Sequence, residues 1–178
     1  MLRLLLLRHA KSAWDDPTLA DHDRPLADRG RKAARVMAGF LAEHELVPGR
    51  ILCSTAQRTR ETLSHVVPML SGETEIRLTR KLYEADGGDY MTAIREGGAA
   101  APMLMLIGHN PTMEDTAQLL AGAGERSALV KMREKFPTCA LAVIDFDIAS
   151  WRDIGPGAGR LTQFVTPRLV DPGHTSGE

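Results

Sequence analysis

Three short runs of uninterrupted apolar residues, at positions 4–7, 51–53 and 103–107, end abruptly in polar ones. The first meets Arg8 and His9, the second Ser54, and the third reaches His109 after a single glycine. Runs this short and this continuous suit strands buried on both faces, as in a parallel sheet covered by helices on either side. Segments of helical period separate them. Asp28 to Leu46 puts Ala33, Val36, Met37, Phe40 and Leu41 on one face, and Thr55 to Leu70 does the same with Leu63, Val66 and Val67. Strand and helix in alternation predict an α/β fold: three layers, α/β/α, around a mostly parallel central sheet.

The later chain changes character. "NPTMEDTAQLL" opens another helix, with Thr112 the expected N-cap and Asp115 three residues on, as in a capping box. "CALAVIDFDI" and "RLTQFVTP" flank "ASWRDIGPGAG" and read as two antiparallel strands around a Gly-rich loop, on the edge of the sheet. "GPGAGR" lacks both the GK[ST] ending and the strand-to-helix context of a phosphate-cradling loop, so it reads as a hairpin turn. With 178 residues, 43% of them hydrophobic, one domain over 1–170 can bury its own core, and 171–178 is expected to be a frayed tail.

Charge and cysteine use exclude several classes. Formal net charge is -1, from 22 Lys and Arg against 23 Asp and Glu, so no basic field points to nucleic acid or an anionic membrane. Cys53 and Cys139 form no CxxC pair and no Cys/His cluster; neither a metal site nor a disulfide framework is expected, and a reducing cytoplasm fits best. The opening "LRLLLL" is too short for a signal-peptide core and runs into Arg8 and His9 without a small-residue cleavage site. No run reaches the ~18 apolar residues of a membrane span.

In an open α/β sheet, ligands sit beyond the carboxyl ends of the strands. Parallel pairing would bring Arg8 and His9, the "CSTAQRTRET" stretch and "GHNPT" to one rim. Each has a bland reading by itself: Arg58 and Arg60 as a solvated helix face, Ser54 as an N-cap with Gln57 completing its box. Yet Arg58 falls in a first helical turn, where the macrodipole disfavours a cation unless an anion is bound beside it. Arginine forks match phosphate oxygens, and a neutral imidazole can attack phosphorus and carry the phosphoryl group covalently. Neighbouring cations favour that neutral form of a histidine whose ordinary pKa is ~6.5.

These residues resemble the histidine phosphatase superfamily, the phosphoglycerate mutase-like group, and within it the SixA-like phosphohistidine phosphatases. The motifs run in family order: "LLLRHAKSAW", "DRPLADRGRKAA", "ILCSTAQRTRETL", "LYEA" and "LIGHNPT". The resemblance implies a phosphoglycerate mutase-like fold and a metal-independent, cofactor-free phosphatase in which His9 becomes phosphorylated while Arg8, Arg58 and His109 bind the phosphoryl oxygens. It further implies substrate contacts at Arg24, Ser12 and Asn110, and it sets Glu84 near where relatives carry a carboxylic general acid. The implied substrate is phosphohistidine on a partner protein. A small-molecule phosphomonoesterase of the same family is the alternative, followed by a mutase and by an inactive module that binds phosphorylated ligands; oligomeric state is left open. Where larger relatives read "RHGESxWN" this chain has "RHAKSAWD", so Asp15 is expected to turn away from the substrate or to meet a cation such as Lys11. His22, His44, His65 and His174 are assigned no role.

Overall fold

Apolar residues in the three runs alternate between two cores, which is how a strand buried on both faces divides its side chains. In this computed structural model, which describes residues 1–84 and 87–173, Leu4, Leu6, Leu104 and Leu106 share one core with Tyr90, Ile94, Met113, Ala117 and Trp151. Leu5, Leu7, Met105, Ile107, Ile51 and Cys53 share the other with Ala33, Met37, Leu41, Leu63 and Val66. A leucine fully buried in either core contributes roughly 1.5–3 kcal/mol.

The strands are β1 (Leu2–Arg8), β2 (Arg50–Ser54), β3 (Glu75–Thr79), β4 (Met103–Gly108), β5 (Ala121–Gly124), β6 (Leu141–Phe146) and β7 (Gly159–Val165). Helices α1 (Asp28–Glu43) and α2 (Gln57–Val66) cover one face; α3 (Gly87–Gly97), α4 (Thr112–Leu120) and α5 (Arg126–Glu134) cover the other, and a short α6 (Pro167–Val170) packs on α1. The seven strands form one sheet in the order β3-β2-β4-β1-β6-β7-β5. All neighbours pair in parallel except at β6, which is antiparallel to both β1 and β7. This is the α/β, phosphoglycerate mutase-like architecture the sequence predicts.

Three local expectations are corrected, and one strand is added that the sequence does not signal. The β6–β7 pair is not the edge, because "AGAG" adds β5 in parallel outside β7; that segment carries no β-branched or aromatic residue to signal a strand. Strand β3 was also unread: its apolar Ile76 and Leu78 are 40% and 49% exposed on the opposite edge. Helix α4 takes Pro111, already at φ -78 and ψ -18, as its N-cap, so Thr112 is the first helical residue and not the cap. Helix α2 is capped by Ala56 instead of Ser54 and stops at Val66; the turn over Val67–Met69 contains Pro68, and Val67 is 40% exposed. Ala85 and Asp86, together with residues 174–178 of the expected tail, lie outside the described residues. Among the described residues no helix is long and apolar enough to cross a membrane.

Register sets the functional rim. Arg8 pairs with Gly108 across β1 and β4, and Cys53 pairs with Ile107 across β2 and β4, so His9, Ser54 and His109 emerge at one level. The long connection from β1 to α1 is folded back on itself: Ser12 bridges Leu26, Ala13 N donates to Pro25 O and Ala27 N to Lys11 O, both at 2.9 Å. Gly30, in the first turn of α1, packs directly on this loop, and a Cβ there would run into the Lys11 carbonyl. Glycine to alanine in a helix ordinarily gains up to ~1 kcal/mol, but overpacking against fixed backbone costs ~1–3 kcal/mol. Gly30→Ala is therefore expected to lower the urea unfolding free energy by about 1–2 kcal/mol; a stabilised variant would show that the loop yields freely.

Candidate active site

Beyond the end of β1, His9 is 8% exposed, and its ring Nδ1 lies 2.7 Å from the carbonyl oxygen of Ala10. A carbonyl can only accept, so Nδ1 carries the proton and Nε2 keeps its lone pair. Ala10 is itself fixed, because its N–H donates to Thr62 Oγ1 at 3.0 Å and Thr62 donates to Arg58 O at 2.7 Å within α2. The chain entering β6 closes the same strand end: Cys139 N donates to His9 O at 3.0 Å. Burial pushes the His9 imidazole well below its ordinary pKa against the pull of the Ala10 carbonyl, and His109, Arg58 and Arg8 lower it further.

His109 faces His9 with ring centroids 5.1 Å apart. Its main-chain N–H donates to the Tyr90 hydroxyl at 2.9 Å, and Gly108 permits this approach, since a Cβ there would meet the same hydroxyl. Ser54, fully buried, has its Oγ 2.8 Å from His109 Nε2 and also accepts from Ala56 N at 3.3 Å. With that acceptor role filled, the serine O–H is free to donate to Nε2, which leaves the His109 proton on Nδ1. Burial, reinforced by Arg58, lowers His109 to about 3.

The arginines come from three directions. Arg58, 7% exposed in the first turn of α2, donates to Asp21 O at 2.6 Å and to Asp21 Oδ2 at 3.0 Å. Arg8 donates through Nη1 to Phe136 O at 2.7 Å, and burial lowers its pKa; Glu114 opposes that shift and Arg58 adds to it. Arg24 is braced on every side: Nε to Ala13 O at 3.1 Å, Nη1 to Asp21 Oδ1 at 3.0 Å, Nη2 to Ser12 Oγ, and its guanidinium 3.2 Å above the Trp14 ring. Three buried side-chain atoms here have no hydrogen-bond partner among the described residues: Arg8 Nε, His109 Nδ1 and Asn110 Oδ1. Two are donors, which suits an anion.

The structure thus brings together Arg8, His9, Arg58 and His109. The other expected residues differ in their placement. Asn110 spends its amide donors on Glu114 Oε2 at 2.9 Å and Phe136 O at 3.0 Å, and Ser12 and Arg24 hold each other, so all three are engaged within the protein. Glu84 is exposed and bound to Arg80 Nε at 2.6 Å. Asp15 is exposed, in an outer groove with Trp14 and Leu19, and forms no ion pair with Lys11. Sequence reading missed Asp21, Tyr83, Ser54 as a partner of His109, and His22, whose ring meets Thr55 Oγ1 at 3.1 Å and the edge of Tyr83 at 4.8 Å. For Asp21 a signal existed, three residues ahead of Arg24 in "DHDR". No group of three or more His, Cys, Asp or Glu among the described residues is placed to hold a metal ion.

The family model described as histidine phosphatase superfamily (branch 1) matches residues 4–134. An uncharacterised Mycobacterium tuberculosis protein, Rv1276c, is 38% identical over 164 residues, covering 91% of this chain and 100% of its own length. The crystal structure described as a putative phosphohistidine phosphatase SixA from Agrobacterium tumefaciens superposes with a TM-score of 0.77 at 34% identity, over 93% of this chain and 99% of that one. A second structure so described, from Nakamurella multipartitia, gives 0.79 at 27% identity, over 93% and 96%. The chain belongs to the histidine phosphatase superfamily, branch 1, among its SixA-like phosphatases.

Proposed function

We propose that this phosphatase works in two steps through His9 without a metal ion, and that its substrate is phosphohistidine on a protein. The observation that carries the reading is the His9 Nδ1 bond to Ala10 O, which supports an Nε2 lone pair held neutral and aimed among cations. In the first step Nε2 bonds to phosphorus while the bond from phosphorus to the leaving atom breaks, and the leaving group takes its proton from water. In the second, water attacks phospho-His9, the N–P bond breaks and inorganic phosphate leaves. Arg8, Arg58 and the Nδ1–H of His109 bind the phosphoryl oxygens and meet the charge that builds on them.

Ser12, Arg24 and Asn110 act in this reading as positioning residues, through the β1–α1 loop and the Arg8 neighbourhood. The mechanism does not depend on Glu84, because a leaving imidazole nitrogen is basic enough to be protonated by solvent. The preference for a protein substrate rests on similarity to the Agrobacterium protein so described; the connections Thr55–Ala56 and His109–Pro111 at the rim are short, and the long β1–α1 connection borders the site beside them. A reducing compartment is part of the same proposal, since Cys53 and Cys139 are buried free thiols, each pushed up to about 12 by burial.

Trapping in an alkaline denaturing quench with a radiolabelled aryl phosphate is expected to label wild type and not His9→Ala, with a label that survives alkali and is lost in acid. Turnover by a folded His9→Ala variant would require another nucleophile. Arg58→Ala should lose ~10²-fold or more in kcat/KM, the usual cost of one aimed donor. A phosphohistidine peptide should be turned over in preference to a panel of sugar phosphates and nucleotides; turnover confined to the panel would overturn the substrate assignment.

The pH profile follows from the sign of the His9 shift. Attack needs the neutral ring, and protonation sets in as pH falls through a pKa held well below 6.5. The acid limb of kcat/KM should therefore have its midpoint below 6.5, whereas an ordinary histidine would already be roughly three-quarters protonated near pH 6. A midpoint at or above 6.5 would show that the burial of His9 is relieved in solution.

A further inference from the structure

Hydrogen bonds from four side-chain donor atoms converge on one residue that the two-step mechanism does not use. Asp21 accepts from Arg24 Nη1 through Oδ1, and from Arg58 Nη2 and the Tyr83 hydroxyl through Oδ2, each at 3.0 Å. Its main-chain carbonyl accepts from Arg58 Nη1 at 2.6 Å. The Arg58 fork is thus engaged with two oxygens of a single residue, an arrangement close to the one it would offer a phosphoryl group. Burial alone would raise the Asp21 carboxyl, yet Tyr83, Arg58 and Arg24 together hold it below its ordinary range, so it is a carboxylate at neutral pH.

We propose that Asp21 is a resident anion on Arg58 that an incoming phosphoryl group displaces, so that free phosphate binds weakly and is released readily. This rests on the phosphatase reading, in which Arg58 binds phosphoryl oxygens. The geometry provides a path for the exchange. The Asp21 side chain is 53% exposed while those of Arg24 and Arg58 are 8% and 9% exposed, so the carboxylate can move into water and the arginines cannot. Oδ1 stays on Arg24, itself braced by Ser12, Ala13 and Trp14, and serves as the pivot. Oδ2 leaves Arg58 and Tyr83. The bond from Arg58 Nη1 to the Asp21 carbonyl is main-chain and survives the swing, keeping the guanidinium aimed. Tyr83, whose ring lies edge-on to His109 with centroids 5.6 Å apart, is then released beside the bound group.

Two other roles would give opposite results. If Asp21 simply buttressed Arg58, neutralising it would weaken phosphate binding; if it supplied a proton to the leaving group, neutralising it would lower kcat and leave phosphate affinity alone. A resident anion predicts tighter phosphate. Asp21→Glu, which keeps the charge, should behave as wild type, and Tyr83→Phe, which removes one anchor of Oδ2 and no charge, should show a smaller gain.

The test is calorimetric titration of inorganic phosphate into the full chain, paired with phosphate inhibition of aryl phosphate hydrolysis. Asp21→Asn is expected to bind phosphate about ten-fold or more tightly than wild type, the worth of one charged hydrogen bond. KM should fall with it while kcat does not rise, and the gain should vanish in Asp21→Asn/Arg58→Ala. Tyr83→Phe is expected to gain about two- to ten-fold and carries the test should Asp21→Asn fail to fold. Unchanged or weaker phosphate binding in a folded Asp21→Asn overturns the proposal, as does a fall in kcat at unchanged affinity. If wild type hydrolyses the ester and the variant gains no affinity, the resident anion fails and the phosphatase stands. A gain in affinity without wild-type turnover does the reverse: the resident anion stands and the phosphatase fails.

Discussion

Arg8 pairs with Gly108 across the β1–β4 ladder, and the next residue on each strand is a histidine. Because side chains alternate at every step, a slip of one residue in this register would turn His9 away from His109 and exchange the leucines between the two cores. The same buried leucines that make the register costly to change therefore fix the distance between the two imidazoles. The geometry of the candidate site is a by-product of core packing, carried two residues past the end of the hydrophobic run. The loop that follows adds the remaining constraint: it is pinned at Ala10 by Thr62 and at Lys11 by the close approach of Gly30.

Converging cations need an anion or a compensating device. Arg8 and Arg58 lie near two histidines, with Arg24 beside Arg58, and burial makes both imidazoles neutral, so the repulsion among basic groups is confined to the arginines. Asp21 then bridges two of the three arginines, and Glu114 lies near the third, to whose charge it is favourable. The neutrality of His9 and the presence of Asp21 are thus two answers to one electrostatic problem. The first leaves the proposed nucleophile in its neutral form. The second leaves a fork of donors preset to anion geometry.

Much of this was legible in the sequence, for reasons specific to each element. Buried-strand runs and helical period located β1, β2, β4, α1 and α2, because a strand covered on both faces has no polar residue to blur its limits. Arg8, His9, Arg58 and His109 followed from the rule that parallel strands present their carboxyl ends together. The edges were not legible. Strand β5 reads "AGAG" and is held by pairing with β7 alone, and β3 exposes Ile76 and Leu78 where a pattern of burial would be sought. The site's supporting residues were hidden for a different reason: Asp21 and Tyr83 lie 62 positions apart and meet only through the tertiary fold. Ser54 reads as an N-cap, a place that Ala56 takes; its Oγ lies instead on His109 Nε2, which no local rule could indicate.

The unsatisfied atoms at the centre bear on what the fold gives up for this chemistry. Among the described residues, Arg8 Nε and His109 Nδ1 are buried donors without a partner, each a penalty of roughly 1–3 kcal/mol if left so. On the proposed mechanism, a phosphoryl group bound there removes that penalty at both atoms at once. Its oxygens are strong acceptors, and the donors are already oriented by the backbone and by Ser54, so little reorganisation opposes binding. Affinity arising this way would be indiscriminate, since it would hold product phosphate as firmly as substrate. A carboxylate already seated on Arg58 works against that outcome, because it penalises every phosphoryl anion alike and leaves contacts with the rest of the substrate to decide which one enters.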